Sequence, residues 1–357
     1  MPEPPAPPSK PAPPSTPALP STPAPPSTPA PPAPSAAAEP VRIEPREALR
    51  RVTAGESLSR EEAEDLFGRM IDGEVSDPLK AALLVGLRMK GEAVPEIAGA
   101  AAAMRRRATR IPHRLKAVVD TCGTGGDGRG TFNISTAAAL VAAAAGAPVA
   151  KHGNRSISSR SGSADVLAAL GMRLDEDPAT AGRALEEVGI CFLFAPYFHP
   201  GMREVMAVRR ELALRTIFNL LGPLINPAGA RRQLMGVYAA SLVEPIAHVL
   251  AELGTEHALV VHGDDGLDEI TTTGVTRVCE VRGGEVRAYT IEPEALGIRR
   301  AELGELAGGG PDENAELMRQ VLASGTGPLA DITVLNAGAA LYVAGLAADL
   351  PAGVERA

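Results

Sequence analysis

This sequence has few cysteines and no hydrophobic run long enough to cross a membrane. Its three cysteines, Cys122, Cys191 and Cys279, are widely spaced and form no CxxC pair. This spacing argues against a disulfide scaffold or a zinc site and favours a reducing compartment. A membrane span needs about 20 consecutive apolar residues, and the N-terminus also lacks the basic start and apolar stretch of a secretory signal. We therefore expect a cytoplasmic protein.

An excess of positive charge is also absent. The formal net charge is -8, with 45% hydrophobic and 22% charged residues among 357. Such a chain is poorly suited to coat nucleic acid or an anionic membrane, so any anionic ligand must be met by cations gathered locally. The length predicts a large α/β unit accompanied by a smaller one.

The N-terminal segment, residues 1–40, consists almost entirely of Pro, Ala, Ser and Thr. This composition predicts a disordered tail with polyproline II character, because it cannot bury enough apolar surface to offset chain entropy. Its PxxP spacings would suit a proline-binding module, but a tail without a chemical role is the simpler interpretation.

Residues 41–112 have a helical pattern. Ser59 with Glu62 three residues later predicts a capping box, Ser76 is predicted to cap the next helix, and Gly91 to end it. An alanine-rich helix is predicted over 95–107. We expect a compact helical bundle, joined by helical residues from about 200–222, with one apolar face left for a partner.

Residues 113–357 alternate short apolar runs with glycine turns and helical stretches. Strands that alternate with helices predict βαβ units and a mainly parallel sheet, and RGGE at 282–285 predicts an antiparallel hairpin. The predicted fold class is therefore α/β, a small N-terminal helical bundle domain plus a larger α/β domain. Strands are predicted at 117–120, 148–151, 190–194, 234–238 and 258–262, and closing helices near 314–323 and 336–344.

A glycine-rich turn, GTGGD at 123–127, follows the first predicted strand and precedes a helix that begins near Ser135. Ligands of parallel α/β sheets lie beyond the carboxyl ends of the strands, where glycine turns let backbone N–H groups approach phosphate oxygens. The turn matches neither GxGxxG nor a Walker sequence, so by itself it fits a structural turn equally well. Thr131, Asn133 and Thr136 add more donors than a helix cap requires.

A second cluster of donors follows the second predicted strand. Lys151 and His152 lead into Gly153, Asn154, Arg155 and four serines. Each serine alone is explained by a cap or turn, but the cations and hydroxyls together favour a second phosphate group. His152 could act as a general base, although a histidine in this setting more often orients a ligand or the backbone.

Two further features indicate ligands of opposite charge. Asp268 and Glu269 follow the strand that ends at His262, and adjacent carboxylates there suit magnesium, although a solvated turn explains them as well. Asp264 and Asp265 nearby are interpreted as decoys. Arg209 shares a helix face with Val205, so its partner is either a substrate carboxylate or an internal acid.

Together these segments resemble the anthranilate phosphoribosyltransferases, which have a nucleoside phosphorylase/phosphoribosyltransferase-like fold. The matching stretches are DTCGTGGDGRGTFNIST, KHGNRSISSRSGSADVLAALG, RTIFNLLGPLINP, GLDEIT and NAGAALYVAG. The resemblance implies transfer of the 5-phosphoribosyl group of phosphoribosyl pyrophosphate (PRPP) to the amino group of anthranilate. The products are N-(5-phosphoribosyl)anthranilate and pyrophosphate, in the second step of tryptophan synthesis from chorismate. It also implies Mg²⁺, a site between the two domains, and a homodimer formed through the helical domain.

The resemblance also implies roles for individual residues. Anthranilate is assigned to Gly123, Asn154 and Arg209, magnesium to Ser135, Asp268 and Glu269, and electrostatic stabilisation of the leaving group to Lys151 with the acidic pair. No residue is identified as a general base. Ala213 stands where the family usually has a glycine. PRPP is assigned to Gly123, Gly126, Asp127, Thr131, Asn133, Ile134, Ser135, Thr136, Lys151, His152, Gly153, Asn154, Arg155, Ser156, Ile157, Ser158, Ser159 and Ser163.

Two other functions fit part of the sequence. A pyrimidine nucleoside phosphorylase shares the architecture, but the complete KHGNR and RTxFNLLGPLxNP segments point away from it. A paralogue that binds nucleic acid needs a basic surface, which the acidic balance and the intact acidic pair argue against.

Overall fold

The computed structural model describes residues 1–3, 5, 41–156 and 160–357. The predicted tail at 1–40 therefore lies almost wholly outside the described residues, and so do Ile157, Ser158 and Ser159. Residues 41–357 form one compact unit.

The N-terminal part of this unit is helical, as predicted. Ser59 and Glu62 form the capping box, and Gly91 ends the third helix. The prediction for Ser76 is wrong in one respect: it precedes the third helix, but its side chain makes no capping hydrogen bond. Pro78 in the first turn has no N–H to donate, which reduces the need for a cap. The helices are α1 (Pro45–Thr53), α2 (Arg60–Ile71), α3 (Asp77–Lys90) and α4 (Val94–Arg107).

A later segment packs onto these helices. Helix α9 (Arg203–Leu212) contacts α2 and α3, and α10 (Phe218–Leu221) contacts α4. Phe67 and Phe218 meet edge to face with ring centroids 5.8 Å apart. One hydrophobic core extends from the helical layer into the sheet layer, and the domain boundary near residue 112 stays a prediction.

Within the described residues, seven strands form one sheet in the order β3-β2-β1-β4-β5-β6-β7. β1 to β5 pair in parallel, while β6 and β7 add the predicted antiparallel hairpin. The fourth strand begins at Arg232, two residues before its predicted start, because Arg232 and Gln233 pair in the ladder although they are not apolar. The strands are β1 (Val119–Asp120), β2 (Val149–Gly153), β3 (Ile190–Phe194), β4 (Arg232–Gly236), β5 (His257–Gly263), β6 (Thr276–Arg282) and β7 (Glu285–Ile291).

The remaining helices cover the sheet. The long helix α13 begins well before the predicted residue 336, because Pro328 suits a first turn. No single described helix is long and apolar enough to cross a membrane, although α12 and α13, bent by 78° at their break, meet those criteria of length and composition as a pair. The helices are α5 (Ile134–Ala144), α6 (Ser163–Ala169), α7 (Pro178–Glu187), α8 (Ala195–Phe198), α11 (Val243–Glu252), α12 (Pro311–Ser324), α13 (Pro328–Ala344) and α14 (Leu350–Arg356).

Candidate functional site

The loop that follows β1 depends on glycine for its backbone conformation. A Cβ atom added at Gly125, Gly128 or Gly130 would meet no atom within 4 Å, so crowding does not exclude a side chain there. The backbone does, because L side chains are strained at positive φ, and four glycines of this loop have φ between 65° and 79°: Gly125, Gly126, Gly128 and Gly130.

The acidic pair lies against this loop. Asp268 Oδ2 accepts a hydrogen bond from the Gly125 N–H at 2.7 Å, and Glu269 Oε1 accepts one from the Ser135 N–H at 3.1 Å. The close approach depends on the glycine that ends β4, since a Cβ atom at Gly236 would lie 1.5 Å from the Asp268 carbonyl oxygen. The carboxyl ends of β1, β4 and β5 therefore meet at one place.

The two carboxylates have no directly paired cation among the described residues. Neither forms an ion pair within the part of the chain that the structure describes, and the groups that donate to them are backbone amides. Burial raises the pKa of Asp268, as does the charge of Asp127, and burial together with Asp268 raises the pKa of Glu269. A divalent cation would relieve this cost. Adjacent carboxylates beside the Ser135 hydroxyl are hard oxygen ligands, so the residues present fit magnesium.

Lys151, at the end of β2, is a buried cation with only 3% of its surface exposed. Its ammonium donates to the carbonyl and hydroxyl oxygens of Thr121, both at 3.2 Å, and to the Ser135 hydroxyl at 3.3 Å. All three acceptors are neutral. Asp268 and Glu269 feel the charge of Lys151 without touching it, so this ammonium remains available to an anionic ligand.

Both ring nitrogens of His152 have partners within the protein. Its Nδ1 lies 2.9 Å from the Gly222 carbonyl oxygen, and its Nε2 lies 3.2 Å from His199 Nε2. Burial lowers the pKa of His152 to about 4 and that of His199 to about 3, so both rings are neutral near pH 7. A carbonyl only accepts, so His152 donates through Nδ1 and accepts from His199 through Nε2. This arrangement favours an orienting role over that of a general base.

Asp120, Cys122 and His152 bring possible ligand atoms within 4.8 Å of one another. The carboxylate of Asp120 already accepts from the Asn226 amide at 2.7 Å and the His152 N–H at 3.2 Å. Burial raises the pKa of the Cys122 thiol, which disfavours the thiolate that metals need. We therefore interpret this cluster as structural support beneath Lys151.

Asp165, which the sequence reasoning missed, binds described residues on either side of 157–159. Its Oδ2 accepts from the Ser156 N–H at 2.9 Å and the Gly162 N–H at 3.0 Å, and its Oδ1 accepts from Arg155 at 2.8 Å. Although burial opposes it, these hydrogen bonds lower the pKa of Asp165. Arg155 thus has an internal partner. The acid three residues after Gly162, at the start of α6, was the available signal.

Arg209 has no carboxylate partner among the described residues. Its guanidinium lies 5.5 Å from the Phe218 ring centroid and 4.0 Å from the Met206 sulfur, and burial lowers its pKa. Arg210 on the same helix is exposed. The internal salt bridge that the sequence left open is therefore not formed in the described chain, and a ligand carboxylate remains the natural partner.

The segment after α9 contacts the glycine loop through a residue that the sequence reasoning did not select. Arg215 donates to the Gly126 carbonyl oxygen and lies 4.1 Å from the Tyr238 ring centroid. Ala213, which stands where the family has glycine, is left-handed at φ 48°. An L residue in that conformation costs about 1–2 kcal/mol, so strain is stored where the chain turns toward the loop.

The predicted residues are not all used in the same way. Gly123, Ser135, Lys151, Asp268 and Glu269 lie together. Asn133 instead binds Ser161 and Asn314 through its side chain, while Ile134 and Thr136 are buried. Asn154 Oδ1 accepts from the next N–H, and the Ser163 hydroxyl donates to the Asn154 carbonyl oxygen. Thr131 pairs with Ala307 as an isolated bridge.

Comparison with known proteins gives a consistent family. Residues 46–108 match the model of a glycosyl transferase family helical bundle domain, and residues 115–357 match the a/b domain of that family. The chain is 56% identical over 311 residues to an anthranilate phosphoribosyltransferase of Anaeromyxobacter sp. (strain K), with 87% of this chain and 92% of the relative covered.

Solved structures agree in fold. The anthranilate phosphoribosyltransferase of Thermus thermophilus superposes with a TM-score of 0.82 at 49% identity, over 87% of this chain and 92% of that one. The Saccharomyces cerevisiae enzyme, solved with PRPP and Mg, superposes with a TM-score of 0.77 at 27% identity, over 87% of this chain and 92% of that one. The structure of the same enzyme with 4-fluoroanthranilate gives a TM-score of 0.76 at 26% identity, over 88% of this chain and 92% of that one. This chain belongs to the anthranilate phosphoribosyltransferase family.

Proposed function

We propose that this chain transfers the 5-phosphoribosyl group of PRPP to the amino nitrogen of anthranilate at the carboxyl edge of its sheet. The observation that carries the proposal is the meeting of the glycine loop, Lys151 and the pair Asp268 and Glu269 where β1, β2, β4 and β5 end. Backbone amides and a buried cation suit a diphosphate, and the acids suit its metal. The reaction serves tryptophan synthesis.

The chemistry follows from these charges. An aromatic amine is already nucleophilic, so the difficult step is the departure of pyrophosphate from the anomeric carbon. Ser135, Asp268 and Glu269 would hold magnesium, which would supply positive charge to the leaving group. Lys151 adds a second positive charge, and the glycine-loop N–H groups hold the phosphate oxygens. The remaining contribution is positioning, and no covalent intermediate is needed.

The anthranilate carboxylate is assigned to Arg209, which lacks an acidic partner among the described residues. A guanidinium can hold a carboxylate through two parallel N–H donors. Arg215, further along the same segment, reaches the glycine loop at Gly126. This contact supports a site that the helical layer and the α/β layer share, with Gly123 and Asn154 on the α/β side.

We also propose a homodimer formed through the helical layer. Met89 on α3 is 82% exposed, and Ala82 and Val85 on the same face are only partly buried. Residues 82, 85 and 89 share one face of a helix, so this stripe offers an apolar surface to a second copy. Sedimentation should show twice the chain mass, and Val85→Glu with Met89→Glu should reduce it to the single mass.

A cytoplasmic location is proposed from the cysteines. All three are free thiols, and Cys191 and Cys279 are buried. Free thiols are typical of a reducing compartment.

The decisive experiment mixes the protein with Mg²⁺, PRPP and anthranilate and follows the loss of anthranilate fluorescence. The chain contains no tryptophan, which reduces the background signal. We expect the loss to require all three additions and to release one pyrophosphate per anthranilate consumed. Phosphorolysis of thymidine or uridine with no loss of anthranilate would contradict the proposal and favour a nucleoside phosphorylase.

A further inference from the structure

The turn at 264–273 presents Asp268 and Glu269, and a third acid shapes it. Asp265 Oδ1 accepts from the Leu267 N–H at 3.0 Å. Its Oδ2 accepts from the hydroxyls of Thr271 at 2.6 Å and Thr273 at 2.5 Å. These bonds join the two sides of the turn, so Asp265 fixes the segment from within. The side chain of its neighbour Asp264 is exposed and pairs with Arg277, at 2.9 Å.

A second anchor comes from α13. Asn336 is fully buried, and its Oδ1 accepts from the Ile270 N–H at 3.0 Å. Its Nδ2 donates to the carbonyl oxygens of Ile270 at 2.8 Å and Ile332 at 2.9 Å. Both polar backbone groups of Ile270, the residue directly after Glu269, are therefore held by one side-chain amide. Buried backbone groups left unpaired are costly, so the amide sets the path of the chain at this point.

Together the two anchors enclose the acidic pair. Asp265 fixes the turn before and after it, and Asn336 fixes the next residue to a helix of the core. Asp268 and Glu269, whose carboxylates accept from Gly125 and Ser135, lie between these two anchors along the chain. Neither anchor is among the residues assigned to substrate or metal.

We propose that Asp265 and Asn336 are positioning residues for the magnesium site, acting through Asp268 and Glu269. This inference rests on the proposed magnesium role of the acidic pair. Groups that orient metal ligands typically change metal affinity 10–100-fold when they are removed. Asp265, interpreted from the sequence as a decoy, is thus not a metal ligand itself, but it orients the carboxylates of Asp268 and Glu269.

The test compares matched variants by Mn²⁺ binding, measured from the electron paramagnetic resonance signal of free Mn²⁺ in the presence of PRPP. Asp265→Ala and Asp264→Ala remove the same charge from the same turn, but the Asp265 side chain bonds residues within the turn, whereas the Asp264 side chain bonds Arg277 on β6. Asn336→Ala is matched by Thr333→Val, which removes a buried hydrogen bond to the Leu329 carbonyl oxygen in the same helix. We expect Mn²⁺ binding to weaken about 10–100-fold for Asp265→Ala and Asn336→Ala.

The controls should bind Mn²⁺ within about 3-fold of the original protein, well below the change expected for a lost positioning group. Equal weakening by Asp264→Ala and Asp265→Ala, or unchanged binding in both positioning variants, would overturn the inference. If Asn336→Ala does not fold, the aspartate pair decides. Failure of the proposed function looks different: the unaltered protein would then bind Mn²⁺ no better than Asp268→Asn with Glu269→Gln.

Discussion

The two ends of the sheet handle charge in opposite ways. At the amino end of the parallel strands, Glu280 lies 2.8 Å from His257 Nε2 and accepts from the Tyr342 hydroxyl at 2.7 Å. Arg232 pairs with Glu256 at 3.3 Å. At the carboxyl end, Lys151, Asp268 and Glu269 form no ion pair within the described chain. The same fold thus pairs these charges at one end and leaves Lys151, Asp268 and Glu269 available at the other.

The amino end of the sheet also contains a cavity. A cavity of about 470 Å³ lies at the amino end, lined by Arg232, His257, Arg282 and Tyr342 among others. A ligand there would have to displace hydrogen bonds that already exist. At the carboxyl end, a diphosphate with its cation would provide the partners that are missing. Charges without partners, rather than volume, therefore mark the candidate site.

The largest expected difference between the two ends comes from neutralising the carboxylates of one end at a time. Asp268→Asn with Glu269→Gln should lower kcat at least ~100-fold, because leaving-group stabilisation is lost. It should also raise the Tm of the unliganded protein, because burial disfavours the charged form of both acids and neutral amides remove that cost. Glu280→Gln should lower Tm and leave kcat unchanged. Steady-state kinetics and thermal unfolding without ligand measure both quantities. Activity loss in the Glu280 variant comparable with that of the acidic-pair variant would contradict the division between the two ends.

A second test concerns the arginine without an acidic partner. Arg209→Ala should raise the KM for anthranilate on the order of 100-fold, because the substrate carboxylate loses its charged partner. The KM for PRPP should stay close to its original value. Arg210→Ala, on the exposed side of the same helix, is the matched control and should change neither constant. Equal effects of Arg209→Ala on both substrates would remove this residue from the anthranilate site.

The smallest expected effect is on the pH dependence of stability, which depends on histidines at the two ends of the sheet. Burial places the pKa of His152 near 4 and that of His199 near 3, below the ordinary 6.5. Between about pH 4 and 6.5 the unfolded chain therefore binds more protons, and the free energy of unfolding should fall as pH is lowered. His199→Gln should reduce this slope by up to about 1.4 kcal/mol per pH unit.

His257→Gln at the amino end should change the slope less, because Glu280 offsets part of the burial that lowers the pKa of His257. Urea unfolding at a series of pH values measures all three proteins. A larger change for His257→Gln than for His199→Gln would show that Glu280 does not offset the burial of His257.

Much of the fold could be predicted because its signals are local. The capping box at Ser59, the strand at Ile190–Phe194 and the hairpin around Gly283 each depend on neighbouring residues. The start of β4 was misplaced because Arg232 and Gln233 are polar, and their place in the ladder comes from strands distant in sequence. Local patterns do not contain that information.

The candidate site divides in the same way. The order of strands and glycine turns was enough to predict that Lys151, Ser135 and the acidic pair lie at one edge, because parallel strands end on the same side of a sheet. It did not show that Arg155 pairs with Asp165, that Arg215 reaches Gly126, or that Asn336 holds Ile270.

By itself, the sequence determined which chemical groups this protein possesses and which strand each one follows, since both are properties of short stretches of chain. Only the tertiary structure decided which charges find an internal partner and which are left for a ligand. The physical reason is that a hydrogen bond depends on a distance of about 3 Å, and between residues such as Gly125 and Asp268, which are 143 positions apart, that distance exists only once the whole core has packed.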